Sequence, residues 1–509
     1  MKSPARQRSL IATLIVLLFP IVSYADASDT EARIQELQKQ VQQMSEARAE
    51  QDKQIELLTK ELVGIENQVS QSKITRTEER GSSKGNPVFA VFKDGVSLED
   101  GSGNWKLALN GRIQADYREF SPDVDGADTF SLRRARLGGT LTMYMDYVAR
   151  VEGEYSGGST TLTYGYIDIN KFQTARFRLG QFKPYYGLER TMSTNFTDFQ
   201  ERSLADSLLG STYDRGVMIF GNPISGFNYS LAYVNGTGTT DENNAKSDGK
   251  DLTLRLTGNL AEFEGWTNSV VHVGGFYADG NEGSRRQAGF IPIGQTEARG
   301  AQFFNTTCSA GAAVCGTAAA ANAFKDDVKR TRAGLETALA YGPVKFQSEF
   351  IDTSFEGPGY NRDINAWYAS AVWNVSGESF ASMYKEGVFG RLIPKNNYKS
   401  GTNGRGALQV GVRYSKFDAF DFKKTGNAAG TGVLLNVTPT PTTADGLLVA
   451  TNEADAWTLG ANWILQPNFR FVGNWVHTSY QTPIRVRVNG KDNTIADENA
   501  LTLRAQYDF

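Results

Sequence analysis

The C-terminal stretch Ala500–Phe509, "ALTLRAQYDF", decides how the rest of the sequence is interpreted. Every second residue from Leu501 to Phe509 is apolar, and the residues between them, including Arg504, are polar. An extended strand places such alternating residues on opposite faces. Because chain ends are usually solvated, an apolar row that runs to an aromatic last residue indicates a strand held within a sheet.

The same alternation recurs from Trp105 onward, for example in Trp105–Glu119, "WKLALNGRIQADYRE". Counting weaker segments, the pattern predicts about sixteen strands. The apolar rows begin or end in aromatic residues, as at the two interfaces of a membrane barrel. The polar rows contain charges, which a soluble core could not bury unpaired but a water-filled lumen can hold. A soluble antiparallel sandwich would also alternate, but these two features favour an all-β, sixteen-stranded antiparallel transmembrane β-barrel.

The connections between the predicted strands alternate in length. Short turns such as "GNPIS", "YGP" and "ILQPN" follow even-numbered strands, and odd-numbered strands lead into long loops, which is typical of a barrel with short periplasmic turns. One connection departs from this rhythm, because the segment after strand twelve is long. It could fold into the lumen or hang below the barrel.

The N-terminal region has a different pattern. Residues 1–25 combine basic residues, an apolar run from Leu10 to Val22 and a small-x-small site ending at Ala25, which predicts a secretory signal peptide. Residues 26–74 carry heptads that predict a periplasmic coiled coil, with a trimer favoured, and 75–104 is expected to be a linker. The barrel domain is then 105–509, in the bacterial outer membrane.

The composition excludes several classes of protein. The net charge is -3 and the chain has two His and two Cys, so a basic nucleic-acid binder is not expected and His-based catalysis has little material. We find no metal or cofactor motif and predict no enzyme. Outside the cytoplasm, Cys308 and Cys315 could close a local loop as a disulfide.

If the polar rows face inward, the lumen receives thirteen basic residues against seven acidic ones. Mid-strand cations are expected there because an outward Arg or Lys costs roughly 2–4 kcal/mol at the bilayer midplane. The basic residues are Lys106, Arg112, Arg118, Arg134, Arg136, Arg150, Arg176, Arg178, Arg255, Lys345, Arg413, Arg470 and Arg504. In "RRAR", Arg133 would point outward unless a bulge intervenes.

Several stretches, taken in order, resemble the phosphate-selective porin O and P family: "FSLRRARLGGTL", "FRLGQFKPYYGLERTMSTN", "FQERSL", "YASAVWNVSGES", "GALQVGVRYSKFDAFD", "WTLGANWILQPNFRFVGNWVHT" and "LRAQYDF". The resemblance implies a homotrimer of barrels in outer-membrane lipid that passes small anions such as phosphate by passive diffusion. It also implies that the aromatic terminal strand is the element that the assembly machinery recognises.

The resemblance further implies that the loop between strands five and six folds inward, with Arg190 and Arg202 at the pore constriction. Arg202 could instead pair with Glu201 or Asp198 and hold this loop rigid. Further basic loop residues follow strands nine and twelve: Arg285, Arg286, Arg299, Lys385 and Arg391. The phosphate-selective members have a denser cluster after strand nine and a lysine where this chain has Val388, so the sequence favours anion preference over phosphate specificity.

Two other functions remain open. One is a non-selective or sugar-passing porin on the same barrel. The other is a structural tether, in which the coiled coil contacts the cell wall.

Overall fold

The computed structural model describes residues 39, 42, 87–92, 95–122, 128–236, 238–239, 249–282, 294–304, 307–308, 328–357, 360–421, 423–424, 447–449, 451–488 and 491–509. The chain divides into two units, 1–85 and 86–509. The predicted signal peptide lies outside the described residues. Within the predicted coiled coil only Lys39 and Gln42 are described, both helical, so the coiled coil stays a prediction.

Sixteen antiparallel strands form a closed barrel in the second unit, as predicted. They are β1 Trp105–Ser121, β2 Thr129–Met143, β3 Tyr147–Glu154, β4 Thr161–Ile169, β5 Arg176–Phe182, β6 Asp214–Ile224, β7 Phe227–Val234, β8 Asp251–Asn259, β9 Ser269–Glu282, β10 Val328–Tyr341, β11 Val344–Gly357, β12 Tyr360–Asn374, β13 Ala407–Asp418, β14 Glu453–Gln466, β15 Phe469–Val488 and β16 Lys491–Asp508. Each strand pairs with the next. Pairing of β16 with β1 closes the wall.

The smaller described elements are not among the sixteen strands. Two strands precede it, Val88–Val91 and Val96–Asp100. The helices are α1 Leu188–Thr191 and α2 Leu260–Phe263, with 3₁₀ turns at Leu204–Leu209 and Phe380–Met383, and the short strand pieces are Gly294–Gln295, Gln302–Phe304, Thr307–Cys308, Tyr384–Lys385, Val388–Phe389, Lys423–Lys424 and Leu447–Val449. Within the described ranges, no helix is both long and apolar enough to cross a membrane.

The two faces of the wall differ as the period-two pattern predicts. Leu503 and Tyr507 are about half exposed on the outer face, at 47% and 48%, whereas the neighbouring Arg504 is 1% exposed on the inner face. The outer aromatic residues include Trp105, Trp373, Trp457 and Trp463. The inner face is covered by chain that enters the barrel from both ends, and this chain positions the site described below.

The predicted rhythm of connections is wrong at two places. The β11–β12 and β15–β16 connections each have two residues, although both follow odd-numbered strands. At the second of these places, the strands themselves lengthen. β15 has 20 residues and β16 has 18, whereas about 9–11 tilted residues suffice to cross a bilayer, so this hairpin continues past the membrane as paired strand.

Candidate functional site

Residues 183–213, here called the inner loop, connect β5 to β6 inside the barrel. Buried arginines of the wall hold it there. Arg504 contacts Asp116 on β1 at 2.7 Å and Glu201 of the loop at 2.7 Å. Arg413 on β13 contacts Glu189 of the loop at 3.0 Å. The loop therefore folds inward, as the resemblance implied.

Arg190 and Arg202 lie within this loop and bind it to itself. Arg190 is 3% exposed, and its guanidinium contacts Asp206 Oδ1 at 2.5 Å and the carbonyl oxygen of Gly210 at 3.0 Å. Arg202 lies 3.6 Å from Asp206 and donates to the carbonyl oxygens of Arg190 and Met192. Asp206, rather than Glu201 or Asp198, is therefore the acidic partner of Arg202.

Two loop carboxylates are held ionised by these contacts. Burial favours the neutral acids, but the guanidinium groups of Arg133 and Arg504 keep the pKa of Glu201 well below its usual range. Burial also acts to raise the pKa of Asp206, but the guanidinium groups of Arg190 and Arg202 outweigh it and lower that pKa. Opposite charges at this distance stabilise the charged form of each partner, so the loop is held by charged pairs.

A β-bulge places the "RRAR" arginines on the inner face. Gln114 on β1 pairs with Arg134, but the next residue, Ala115, pairs with Leu132, so Arg133 has no partner on β1. An extra residue of this kind reorients the side chains around it. Arg133 consequently turns inward and contacts Glu201 at 2.9 Å. This is the bulge that the sequence requires for Arg133 to face the lumen.

A second inward element comes from the connection between β9 and β10. Gly294–Gln295 and Gln302–Phe304 form a short hairpin, anchored by the buried Glu297, which contacts Arg413 at 2.5 Å. Arg299 lies at its tip and is exposed. Among the described residues, none forms a hydrogen bond or ion pair with the Arg299 guanidinium.

The inner loop, the bulged part of β2 and the hairpin within 294–304 together line a cavity of about 280 Å³. Five arginines and three carboxylates line it: Arg133, Arg134, Arg190, Arg202, Arg299, Glu201, Asp206 and Glu297. Gln200 and Thr197 also line it and are at most 4% exposed. Their side-chain polar atoms are buried and have no hydrogen-bond partner in the described part of the chain.

A row of four arginines continues down the inner face of β2, β3 and β5, here called the arginine row: Arg136, Arg150, Arg176 and Arg178. Each guanidinium carbon lies over an aromatic ring, between 4.0 Å (Arg178 over Tyr166) and 5.5 Å (Arg136 over Tyr213) from its centroid. Stacking fixes the planes of these groups while leaving their edges able to donate.

Each member of the arginine row also has a carboxylate partner. Arg136 contacts Glu154 at 2.6 Å, Arg150 contacts Glu152 at 2.6 Å and Arg178 contacts Asp168 at 2.7 Å, all on the same wall. The partner of Arg176 is Glu386, at 2.9 Å, which comes from the segment after β12. This last pair therefore joins the wall to the segment after β12.

The long segment 375–406 enters the barrel, which settles the alternative that the sequence left open. Its residue Tyr384 contacts His272 on β9 at 2.7 Å. Arg255 on β8 donates to the carbonyl oxygen of Gly387 at 3.0 Å. Lys385 is exposed at the tip of the segment. Arg391 forms an ion pair with Asp508 near the end of β16.

The other predicted lumen cations differ in burial. All lie on the inner face, and all but one are buried there: Arg112, Arg118, Arg255, Lys345, Arg413, Arg470 and Arg504. The exception is Lys106, whose side chain is 51% exposed and pairs with Glu99. Sequence reasoning missed Arg330 and Arg332 on β10, which pair with Asp251, although the period of β10 places both in its polar row.

Some predicted residues cannot be placed. Arg285, Arg286 and Cys315 lie outside the described residues, so the disulfide with Cys308 stays a prediction. In the part of the chain that is described, no group of His, Cys, Asp or Glu side chains could hold a metal ion.

A closed sixteen-stranded barrel with a charged lumen and an inward loop defines an outer-membrane porin. The chain belongs to the family described as phosphate-selective porin O and P, whose model matches residues 107–509. Porin O of Pseudomonas aeruginosa is 25% identical over 452 residues, which cover 84% of this chain and 94% of that protein. Membership of this family makes the protein an outer-membrane porin.

Solved structures with a similar fold include OmpT of Vibrio cholerae in its trimer form, with a TM-score of 0.47 and 11% identity over 80% of this chain and 100% of that one. The anion-selective porin from Comamonas acidovorans has a TM-score of 0.45 and 12% identity over the same shares.

Proposed function

We propose that the channel passes small anions by passive diffusion, with phosphate among them, and that three copies assemble as a homotrimer. The observation that carries the proposal is the lumenal cavity, where five arginines face three carboxylates. This excess of positive charge favours anions at the narrowed part of the pore.

The Arg299 guanidinium is the group best placed to bind a solute, because it is exposed and has no ionic partner among the described residues. A guanidinium fork matches two oxygens of a phosphate or carboxylate. Arg190 and Arg202 have a different role in this scheme, since they keep the inner loop in place at the constriction.

Passage also requires that a bound ion can leave. Below the cavity, the arginine row supplies successive positive groups, each already paired with a carboxylate. A paired arginine attracts an anion less strongly than a free one, and several weak sites in series allow conduction without a deep trap.

The test is the reversal potential of the purified full-length protein in planar lipid bilayers under a KCl gradient. We expect the sign of an anion-selective pore, and we expect added inorganic phosphate to reduce the chloride current. A cation-selective potential would contradict the proposal.

A non-selective or sugar-passing porin is the main rival, and the three cavity carboxylates favour it. It predicts a reversal potential near zero and a chloride current that phosphate does not reduce. The tether hypothesis predicts no conductance, together with binding to cell wall that is lost when residues 30–72 are deleted.

A further inference from the structure

Two strands that precede the barrel, Val88–Val91 and Val96–Asp100, form an antiparallel hairpin, here called the seam hairpin. Its second strand pairs with the start of β1, with Val96 opposite Leu109 and Leu98 opposite Leu107. The hairpin is thus an extension of the barrel sheet, in a region where the sequence predicts only a linker.

The position of the hairpin follows from unequal strand ends. Phe509 exchanges backbone hydrogen bonds of 3.0 and 2.9 Å with Gly111, and the pairing between β16 and β1 stops at this point, so residues 105–110 of β1 have no partner in β16. The stretch 105–110 would therefore present a free backbone edge at the junction of β1 and β16. Bilayer hydrocarbon offers no partner for such an edge, and the seam hairpin occupies this place.

The side chains of the hairpin continue the two faces of the wall. Leu98 and Val88 share the face of Leu107, and they are 45%, 65% and 38% exposed. Glu99 points to the opposite face and pairs with Lys106 at 2.7 Å. Val96 and Leu98 therefore continue the outer, apolar side of β1, with Asp100 opposite Val88 at the end of the same row, and Glu99 continues the inner side together with Phe89, its partner in the hairpin.

We propose that the seam hairpin is part of the membrane-embedded wall, with its apolar face against acyl chains of the periplasmic leaflet. The leaflet follows from the neighbouring strands, since Trp105 pairs with Met143 beside the short turn 144–146. Lipid is the expected neighbour because Leu98 is directly paired with Leu107, which lies on the exposed outer face of the barrel wall. This inference goes beyond ion passage and holds for a pore of either selectivity.

The test is spin-label accessibility in the full-length chain, reconstituted in phosphatidylethanolamine–phosphatidylglycerol vesicles. The background is Cys308→Ser with Cys315→Ser, and the labels are attached to Leu98→Cys, Glu99→Cys and Leu107→Cys. We expect the Leu98 label to collide with oxygen as often as the Leu107 label and several-fold less with a water-soluble nickel chelate than the Glu99 label.

Two results would overturn the inference. A Leu98 label that meets the nickel chelate as often as the Glu99 label would place the hairpin in water. A label shielded from both reagents would mean that another copy of the chain covers this face. A parallel label at Val88→Cys, which shares the face but does not pair with β1, guards against a label that disturbs the pairing.

Discussion

Arg190 and Arg299 line the same cavity but differ in their exposure and in the number of contacts that their guanidinium groups make. Arg190 is 3% exposed and is engaged by Asp206 and Gly210. Arg299 is exposed at the tip of a hairpin and has no ionic partner in the described chain. Because only a group with free donors can take up an incoming anion without first losing a contact, we assign direct binding to Arg299 and loop maintenance to Arg190.

Replacing Arg299 with alanine should weaken anion binding without affecting the fold. A charge-assisted hydrogen bond contributes about 1.5–3 kcal/mol when buried, and less at an exposed site, so we expect a roughly three- to tenfold rise in the phosphate concentration that halves the chloride current. Bilayer recordings measure this value. Arg299→Lys keeps the charge and should retain part of the affinity; an unchanged value in Arg299→Ala would contradict the assignment.

Arg190→Ala should act on the loop itself. Removal of the guanidinium leaves the Asp206 carboxylate short of its main partner in a buried site, which is costly, so the inner loop should loosen. Single-channel recordings should show a larger and noisier open current than in the unaltered protein. If Arg190→Ala and Arg202→Ala both leave anion conductance and phosphate inhibition unchanged, neither residue belongs to the constriction.

The sequence predicts which arginines face the lumen more readily than it predicts which residues they contact. The alternation around "RRAR" requires a bulge for Arg133 to face inward, and the structure has it. By contrast, the pairing of Arg202 with Asp206 instead of Glu201 depends on how the loop turns back on itself. Side-chain type and period therefore predict the face of a residue, whereas its partner depends on the tertiary path of an irregular segment.

The segment 375–406 carries Glu386, which pairs with Arg176 of the arginine row, whereas the other three arginines of the row pair with carboxylates of the wall. Replacing Glu386 with glutamine should free Arg176 at the periplasmic end and increase the anion-over-cation permeability ratio. Reversal potentials measure the change. Glu264→Gln is the matched control, because Glu264 is an exposed carboxylate between α2 and β9; equal effects of the two variants would mean that Glu386 acts only through overall charge.

The strands could be predicted from the sequence because apolar and polar residues alternate along them, as in residues 501–508, and this alternation shows which residues lie on each face. The entry of 375–406 into the barrel was not, since its contacts with His272 and Arg255 are distant in sequence and follow no period. The two-residue connection after β15 was also missed. The alternation in connection length predicts a long loop at this place, and it does not report that a hairpin can extend past the membrane as paired strand.

All the residues assigned to the pore lie within residues 105–509, and none lies in the N-terminal region 26–74. We therefore expect a variant lacking residues 26–74 to keep the ion selectivity of the full chain, which reversal potentials check. If the predicted coiled coil supports the proposed homotrimer, the same variant should show a lower trimer stability in analytical ultracentrifugation. A changed selectivity would mean that the N-terminal unit takes part in permeation.

The long β15–β16 hairpin has a practical consequence for work on intact bacteria. Its strands meet over a two-residue connection between Val488 and Lys491, far along the paired strands from the hydrocarbon. A short peptide tag inserted there should therefore be displayed at the cell exterior, where an antibody could count channels on living cells without opening them.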